Sequence, residues 1–251
     1  MEKEKILHIE NLVKSFDGLK AVDGVNFSLY SGEHLVILGK SGSGKSVIMK
    51  CVVRLLEADS GSINLFGHKI ESCSENELVE VRHRIGYLFQ EGALYDSMNV
   101  RENLLFPARR NPKLRLLPEK ELQELAEQYL ENVGLKEAID KMPAELSGGM
   151  KKRAGLARTL MLSPEMIIYD EPTTGLDPFT SDSINTLIMK IRENYNTSAI
   201  IITHDINCAE VTGDRLLVLN KGKIIGEGSI RDLQGHKDDE VRLFFKSKMT
   251  P

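Results

Sequence analysis

The alternation of apolar and polar residues predicts where the chain forms strands. Residues 6–16 and 25–29 alternate as half-buried strands do, and Asp17-Gly18 suits a turn between them. Continuous apolar runs are typical of strands in a parallel sheet that is covered on both faces. Such runs occupy residues 35–38, 166–170 and 199–202, and further strands are predicted at 62–66, 85–89, 216–219 and 223–225. The last two form a predicted hairpin.

Helices are predicted where apolar residues recur every three or four positions. The clearest helix runs from Pro118 to Val133, with Gly134 as its C-cap. A capping box at residues 74–77 opens a short helix through Val81. Further helices are predicted from the glycine-rich loop at 39–46 to near Leu56, from about Gly149 to Leu162, and around residues 184–191. The segment of roughly 91–164 is therefore all-helical and interrupts an otherwise α/β chain.

One glycine-rich stretch stands between a predicted strand and a predicted helix. It reads Gly39-Lys40-Ser41-Gly42-Ser43-Gly44-Lys45-Ser46 and continues into Val47. A strand, a glycine-rich loop and a helix form the P-loop arrangement, in which backbone N–H groups and the helix N-terminus bind a polyphosphate. Lys45 can reach the β- and γ-phosphates, and the Ser46 hydroxyl can ligate Mg²⁺. We therefore expect this stretch to bind a nucleoside triphosphate.

Four polar side chains follow other predicted strands. Asp170 and Glu171 end one strand, His204 follows a second and Gln90 follows a third. In parallel α/β sheets, ligands bind at this edge. We expect Asp170 to hold Mg²⁺ and Glu171 to be the general base or to orient the attacking water. His204 could contact the γ-phosphate or that water, and Gln90 could touch the metal or the water. Singly each could be an ordinary surface residue, but with a P-loop they predict an active site.

Composition narrows the partners and the compartment. The chain has 251 residues and a net charge of −4, so it offers no sign of a basic face for nucleic acid. Its three cysteines are widely spaced, which suggests neither disulfides nor a zinc site. The N-terminus lacks the apolar region of a signal peptide, and no apolar run is long enough to span a bilayer. We expect any membrane part of the system to be another chain.

Residues 146–150, Leu-Ser-Gly-Gly-Met, resemble the signature motif of ATP-binding cassette (ABC) ATPases. The order of motifs is similar too, with a D-loop at 174–177 placed before His204. The resemblance implies ATP as the nucleotide, and a RecA-like P-loop core with an N-terminal antiparallel β subdomain and an inserted α-helical subdomain. It places this nucleotide-binding domain at 1–230 and a short tail at 231–251. It also implies that Phe16 stacks on adenine and that Asp177 belongs to the nucleotide site.

The signature further implies a homodimer. Ser147 and the backbone N–H groups of Gly148 and Gly149, at a helix N-terminus, form a second anion site. In the family this site closes over the γ-phosphate held by the opposite subunit, so two copies form a head-to-tail sandwich around two ATP molecules. Met150 stands where the family usually has Gln. Because the anion-binding groups are retained, we expect ATPase activity to be retained.

A narrower resemblance concerns residues 90–107, which are similar to the corresponding region of Mla-type ATPases. The Met-containing signature and the tail residues 241–245 are similar to that subfamily as well. These ATPases energise phospholipid transfer between membranes alongside MCE-domain proteins. The resemblance implies a peripheral subunit at the cytoplasmic face of the inner membrane, beneath a permease on a separate chain.

Other classes of function stay open at this point. The chain could be a cassette for another substrate, a soluble ABC ATPase, or a different P-loop enzyme such as a GTPase or a kinase. The interval from Gln90 to Ser147 is too short for the coiled-coil insertion of DNA-repair types, and ribosome-acting types usually hold two cassettes. Residues 220–223, Asn-Lys-Gly-Lys, lack the final carboxylate of a guanine-reading motif.

Overall fold

The computed structural model describes residues 4–246, and its elements follow the predicted order. Residues 1–3 and 247–251, the extremities of the predicted domain and tail, lie outside the described residues. The strands are β1 (Lys5–Phe16), β2 (Leu19–Tyr30), β3 (His34–Leu38), β4 (Ser60–Leu65), β5 (His68–Lys69), β6 (Ile85–Leu88), β7 (Met166–Asp170), β8 (Ser198–Thr203), β9 (Arg215–Asn220) and β10 (Lys223–Gly228). The helices are α1 (Lys45–Val52), α2 (Glu75–His83), α3 (Val100–Ala108), α4 (Glu119–Asn132), α5 (Gly148–Leu160), α6 (Pro178–Tyr195), α7 (Ile206–Thr212), α8 (Ile230–Gln234) and α9 (Asp239–Lys246).

A six-stranded sheet with the order β10-β9-β3-β8-β7-β6 forms the centre of the fold. Strands β9, β3, β8, β7 and β6 are parallel to one another, and β10 pairs antiparallel with β9 as the predicted hairpin. Because parallel strands point the same way, the carboxyl ends of β3, β8, β7 and β6 lie along one edge. The predicted parallel sheet is confirmed.

Both faces of this sheet are buried, as the continuous apolar strands require. On β3, Val36 and Leu38 pack into a core that includes residues of α3–α7. Their neighbours Leu35 and Ile37 point to the other face and pack with residues of α1 and the N-terminal strands. Each of these four side chains is at most 1% exposed. A strand buried on both sides has no place for polar side chains except at its end.

The N-terminal strands form a separate antiparallel sheet with the order β2-β1-β4-β5. The predicted turn at Asp17-Gly18 joins β1 to β2, and the β subdomain is confirmed. This sheet also supports the glycine-rich loop. The Asp23 N–H donates to the Gly222 carbonyl at 2.9 Å, and the Gly222 N–H donates to the Ser43 carbonyl at 3.0 Å. The β9–β10 turn thus ties β2 to the loop.

Residues 89–165, all of them described, contain α3, α4 and α5 and no strand, so the inserted helical subdomain is confirmed. The pattern of apolar residues did not predict α3 as a separate helix, although Asn99 and Glu102 form a capping box that marks its start. The predicted box at Ser74 and Glu77 opens α2 as expected. Within residues 4–246, no helix is long and apolar enough to cross a membrane.

Several predicted boundaries were wrong. Helix α1 ends at Val52 rather than near Leu56, because Arg54 adopts a left-handed conformation with φ 50. Its guanidinium donates to the Ile70 and Cys73 carbonyls at 3.3 and 2.6 Å, which holds the turn. Strand β6 ends at Leu88, so Gln90 lies two residues beyond it. Strand β4 ends one residue before Phe66, whose φ is 52.

The described part of the tail packs onto the sheet. Leu233, Val241 and Phe245 are at most 5% exposed and belong to the same core as the helical segment. A Cβ added at Gly226 on β10 would lie 3.0 Å from Leu233 and 3.1 Å from Val241. This close approach brings α8 and α9 against the edge strand of the sheet.

Candidate active site

A cleft of about 390 Å³ lies at the carboxyl edge of the central sheet. The strand order places the loops after β3, β8, β7 and β6 side by side there. The cleft is lined by Ala21, Ser41, Gly42, Ser43, Gly44, Lys45, Ser46, Val47, Gln90, Asp170, Glu171, Thr174 and His204. The structure therefore brings together most of the glycine-rich loop and all four polar residues predicted from strand ends.

The loop has the backbone shape that a polyphosphate site needs. Gly42 and Gly44 have φ 76 and 107, and a Cβ at Gly44 would lie 2.3 Å from the Ala21 carbonyl oxygen. Gly44 is also the N-cap of α1, so no side chain occupies the first N–H groups of this helix. The first turn carries no acidic residue. These free amides at a helix N-terminus fit a bound phosphate.

Lys45 is the buried cation of the cleft, and it is 6% exposed. Its ammonium donates to the Gly39 carbonyl at 2.6 Å and to the Lys40 carbonyl at 3.0 Å. Its Nζ also lies 3.6 Å from Glu171 Oε1. Burial lowers the pKa of Lys45, and the charge of Glu171 opposes this shift. The loop thus holds the ammonium at its base, facing the end of β7.

Glu171 is the most constrained of the acids. Its backbone has φ 51, a conformation uncommon for a residue with a side chain, and its N–H donates to the Ile202 carbonyl at 2.9 Å. Its Oε2 accepts from His204 Nδ1 at 2.8 Å and from the Thr174 hydroxyl at 3.0 Å. With Lys45 beside Oε1, the carboxylate has a fixed direction between a cation and an imidazole.

Asp170 ends β7 and lies beside the start of α1. Its Oδ2 accepts from the Tyr87 hydroxyl at 2.9 Å. Burial raises the pKa of Asp170, while hydrogen bonds from Tyr87 and Ser46 and the charge of Lys45 oppose that rise. The oxygens of Ser46 and Asp170 are ligands that suit Mg²⁺, which commonly takes one or two protein oxygens plus substrate phosphates and waters. No group of three or more acidic, His or Cys side chains suited to a metal occurs among residues 4–246.

Three predicted nucleotide-binding residues in the N-terminal part of the chain do not line the cleft. Gly39 and Lys40 contribute the two carbonyls that accept from Lys45. Phe16 ends β1 with 43% of its surface exposed, and the Lys14 ammonium lies 5.5 Å from its ring centroid. Stacking of Phe16 on adenine stays a prediction.

The signature packs against the D-loop and the start of α6. The signature does not line the cleft, although Thr174 of the D-loop does. The Ser147 hydroxyl caps α5 by accepting from the Met150 N–H at 3.3 Å. A Cβ at Gly149 would lie 2.6 Å from Thr180 Cγ2, so glycine is needed there. The Asp177 carboxylate caps α6 by accepting from the Thr180 N–H at 3.0 Å, and its hydrogen bonds to Thr180 lower the pKa of Asp177. Ser147, Gly148 and Asp177 are exposed.

Four residues near the site were missed or assigned no role there by the sequence. Ala21 and Thr174 line the cleft, Tyr87 binds Asp170, and the Lys152 ammonium donates to the Glu171 carbonyl at 3.0 Å. Tyr87 could have been found from the sequence, because it lies in the predicted strand that ends near Gln90. The contacts of Ala21 and Lys152 depend on chain segments far away in sequence.

The fold and the cleft define the protein as a P-loop NTPase, and comparison with known proteins narrows the class. Residues 22–174 match the model of the family described as ABC transporter. The chain therefore belongs to the ABC transporter family and is the ATP-hydrolysing, nucleotide-binding subunit of a transporter. The predicted fold class and enzyme class are confirmed.

Two curated relatives and one solved structure show the range of the family. The chain is 38% identical over 242 residues to a probable ribonucleotide transport ATP-binding protein mkl of Mycobacterium leprae, covering 96% of this chain and 69% of that protein. It is 35% identical over 245 residues to the intermembrane phospholipid transport system ATP-binding protein MlaF of Haemophilus influenzae, covering 98% and 92%. A dimeric ATP-binding cassette in a post-hydrolysis state bound to ADP and Pi has a TM-score of 0.82 at 28% identity, covering 90% of this chain and 99% of that chain.

Proposed function

We propose that this ATPase energises phospholipid transfer between membranes. The proposal rests on the similarity to MlaF, which extends over 92% of that protein, and on the resemblance of residues 90–107 to Mla-type ATPases. A different substrate is the second candidate, because the identity to the mkl protein, named for ribonucleotide transport, is 38%. In either case the chemistry proposed for the cleft is the same.

The position of the Glu171 carboxylate carries the proposed mechanism of ATP hydrolysis. The P-loop amides and Lys45 bind the β- and γ-phosphates of ATP, and Glu171 accepts the proton of the attacking water or orients that water. His204, whose Nδ1 lies 2.8 Å from Glu171 Oε2, fixes the carboxylate and faces the γ-phosphate. Gln90, on the cleft wall, contacts the water or the metal.

Ser46 and Asp170 are the residues that would hold Mg²⁺, with Gln90 as a third oxygen donor. When bound, the ion neutralises charge on the phosphate oxygens of ATP. The Tyr87 hydroxyl, 2.9 Å from Asp170 Oδ2, keeps that carboxylate turned toward Ser46. Asp170 would thereby bind the metal, whereas Glu171 orients the attacking water or accepts its proton, although the two acids are neighbours in the chain.

We propose that two copies form a head-to-tail dimer with two ATP molecules between them. Ser147 and Gly148 are exposed at the N-terminus of α5 and do not line the cleft of their own chain. They bind the γ-phosphate on the partner subunit, next to Asp177 of the D-loop. The solved relative is itself a dimer bound to ADP and Pi, which supports the formation of a dimer by this chain.

A surface of aromatic and basic side chains after β6 suits a permease on a separate chain. Phe89 and Tyr95 are 43% and 47% exposed. Tyr95 packs on Phe106 with ring centroids 4.9 Å apart, and the Arg110 guanidinium lies 3.6 Å from the Phe106 centroid. In this proposal the permease docks here and an MCE-domain protein completes the complex.

The proposal also sets the location and the division of the chain. The subunit is peripheral, at the cytoplasmic face of the inner membrane. Residues 1–230 form the nucleotide-binding domain, with about 91–164 as the inserted subdomain. Residues 231–251 form the tail, whose described part packs onto β10.

Purification of the tagged protein from gently extracted native membranes, followed by mass spectrometry of its partners, tests the proposal. We expect an integral membrane permease together with an MCE-domain protein. A permease with a different solute-binding partner would keep the transport role and contradict phospholipid as the substrate. Recovery from the soluble fraction alone, with soluble partners, would contradict the transporter assembly.

A further inference from the structure

Lys152 is a buried cation that the nucleotide-binding roles above do not use. It lies in the second turn of α5 and is 4% exposed. Its ammonium donates to the backbone carbonyl of Glu171 at 3.0 Å. Burial lowers the pKa of Lys152 to about 8, and the nearby Glu171 and Cys208 partly offset this shift. Because burying an ammonium is costly, a contact that retains one calls for an explanation.

The acceptor, Glu171, has an uncommon left-handed backbone conformation. Glu171 has φ 51, and the peptide groups on both sides of its Cα are held. Its N–H donates to the Ile202 carbonyl, and its C=O accepts from Lys152. A rotation of the peptide group after Glu171 would turn the Glu171 backbone and move its carboxylate away from His204 and Lys45. The geometry of the carboxylate therefore depends on where the Lys152 ammonium sits.

The first turn of α5 carries the signature motif. Ser147 caps the helix and Gly148 is its first residue, so the signature motif and Lys152 belong to one rigid element. The rise of an α-helix places position 152 about 7.5 Å along the axis from position 147. A shift of the helix that moves the signature must move Lys152 with it.

We propose that Lys152 is a positioning residue that links the signature helix to the Glu171 carboxylate of the same subunit. The inference rests on the proposed dimer, in which the signature contacts the ATP held by the partner. Engagement of the partner's nucleotide then adjusts the general base at the subunit's own nucleotide. Lys152 thereby couples the two ATP sites.

Three variants separate this role from a purely structural one. Lys152→Met removes the donor and keeps most of the apolar stem, and Lys152→Arg keeps a charged donor at the same place. Lys151→Met is the matched control, since Lys151 is the preceding lysine of the same helix and is only partly buried. Glu171→Gln tests the premise independently of Lys152.

The experiment is steady-state ATPase activity against ATP concentration for the protein purified with its membrane partners. We expect Lys152→Met to lower kcat about tenfold, since small displacements of a reacting group are costly, with KM for ATP within about twofold of wild type. We expect its Hill coefficient to fall from above 1 to 1. Lys152→Arg should recover most of kcat, and Lys151→Met should match wild type.

Several results would overturn the inference. A Lys152→Met enzyme with wild-type kcat, or a wild-type Hill coefficient of 1, excludes the proposed link. Equal losses in Lys152→Met and Lys152→Arg, with a lowered melting temperature in both, indicate a structural role only. If Lys152→Met does not fold, Lys152→Gln gives the same comparison without the charge. Wild-type turnover in Glu171→Gln would instead contradict the general-base assignment of the proposed function.

Discussion

Two glycine-containing turns in this chain begin helices, and they differ in what surrounds them. The P-loop opens α1 with glycines at positive φ and no side-chain cap. The signature opens α5 with the Ser147 hydroxyl as its cap. Beside the P-loop, Lys45 lies 3.6 Å from the Glu171 carboxylate in a shared cleft. The signature residues Ser147 and Gly148 are exposed and lie outside that cleft.

A helix N-terminus supplies affinity for a phosphate group but not the groups that hydrolyse a nucleotide. The P-loop gains its chemistry from the neighbouring strands, which bring two acids and an imidazole to the same edge of the sheet. The signature has no such strand behind it, since it opens a helix of the inserted subdomain. In the proposed dimer, the signature contributes to binding a nucleotide for which the other copy of the chain supplies the base and the cation.

Removing the general base Glu171 should have the largest effect on turnover. We expect Glu171→Gln to lower kcat about 1,000-fold, because it removes the proton acceptor while leaving the phosphate-binding groups in place. ATP affinity should stay near the wild-type value. Phosphate release and equilibrium nucleotide binding measure the two quantities. The control is Glu193→Gln, an exposed carboxylate on α6, and wild-type turnover in Glu171→Gln would refute the assignment.

Removing the Lys45 ammonium from the same cleft should weaken the binding of ATP. Lys45→Ala deletes a buried ammonium that faces the site, and we expect ATP affinity to fall about 100-fold. Titration calorimetry with ATP and Mg²⁺ is the measurement. Lys50→Ala, an exposed lysine on the same helix, should bind ATP as wild type does. An unaffected affinity in Lys45→Ala would count against the P-loop assignment.

His34 lies at the end of β3 opposite the P-loop. A change at His34 should alter the free energy of unfolding without altering ATP hydrolysis. His34 is fully buried and its Nδ1 donates to the Thr212 carbonyl at 3.2 Å. Burial, followed by the Arg192 charge, lowers the pKa of His34 from 6.5 to about 4. The unfolded chain therefore binds a proton that the folded chain does not, so this contribution is present above pH 6.5 and is lost as the pH falls toward 4.

We expect the free energy of unfolding of wild type to drop by about 2 kcal/mol more than that of His34→Asn between pH 7 and pH 5. The asparagine keeps a donor near the position of Nδ1 but does not titrate. Urea unfolding at the two pH values measures the difference. Parallel pH dependence in the two proteins would show that His34 does not contribute.

The parts of the fold that sequence predicted are those governed by local pattern. The apolar runs of β3, β7 and β8 showed both the parallel sheet and the edge at which Asp170, Glu171 and His204 meet. Element ends were less accurate, because the end of α1 is set by an Arg54 contact with a distant segment. Helix α9 lies in the segment predicted only as a short tail, since its buried residues Val241 and Phe245 are few and their partners lie on other elements.

The site itself was predicted where a residue type and a strand end coincide. Lys152 gave no such signal, because a lysine in an amphipathic helix usually faces solvent and only contacts with other elements, such as the one with Glu171 after β7, bury it. Tyr87 is similar, since its role follows from the pairing of β6 with β7. Contacts between elements that are distant in sequence carry these two roles.

The most direct test of the composite site is the size of the Glu171→Gln protein in gel filtration with light scattering, with and without ATP and Mg²⁺. We predict a monomer without nucleotide and a stable dimer with it, because ATP that is bound but not hydrolysed keeps the two halves closed. The Ser147→Arg, Glu171→Gln double variant should bind ATP equally well and stay monomeric. A closed dimer in the double variant would contradict the claim that the signature of one copy completes the site of the other.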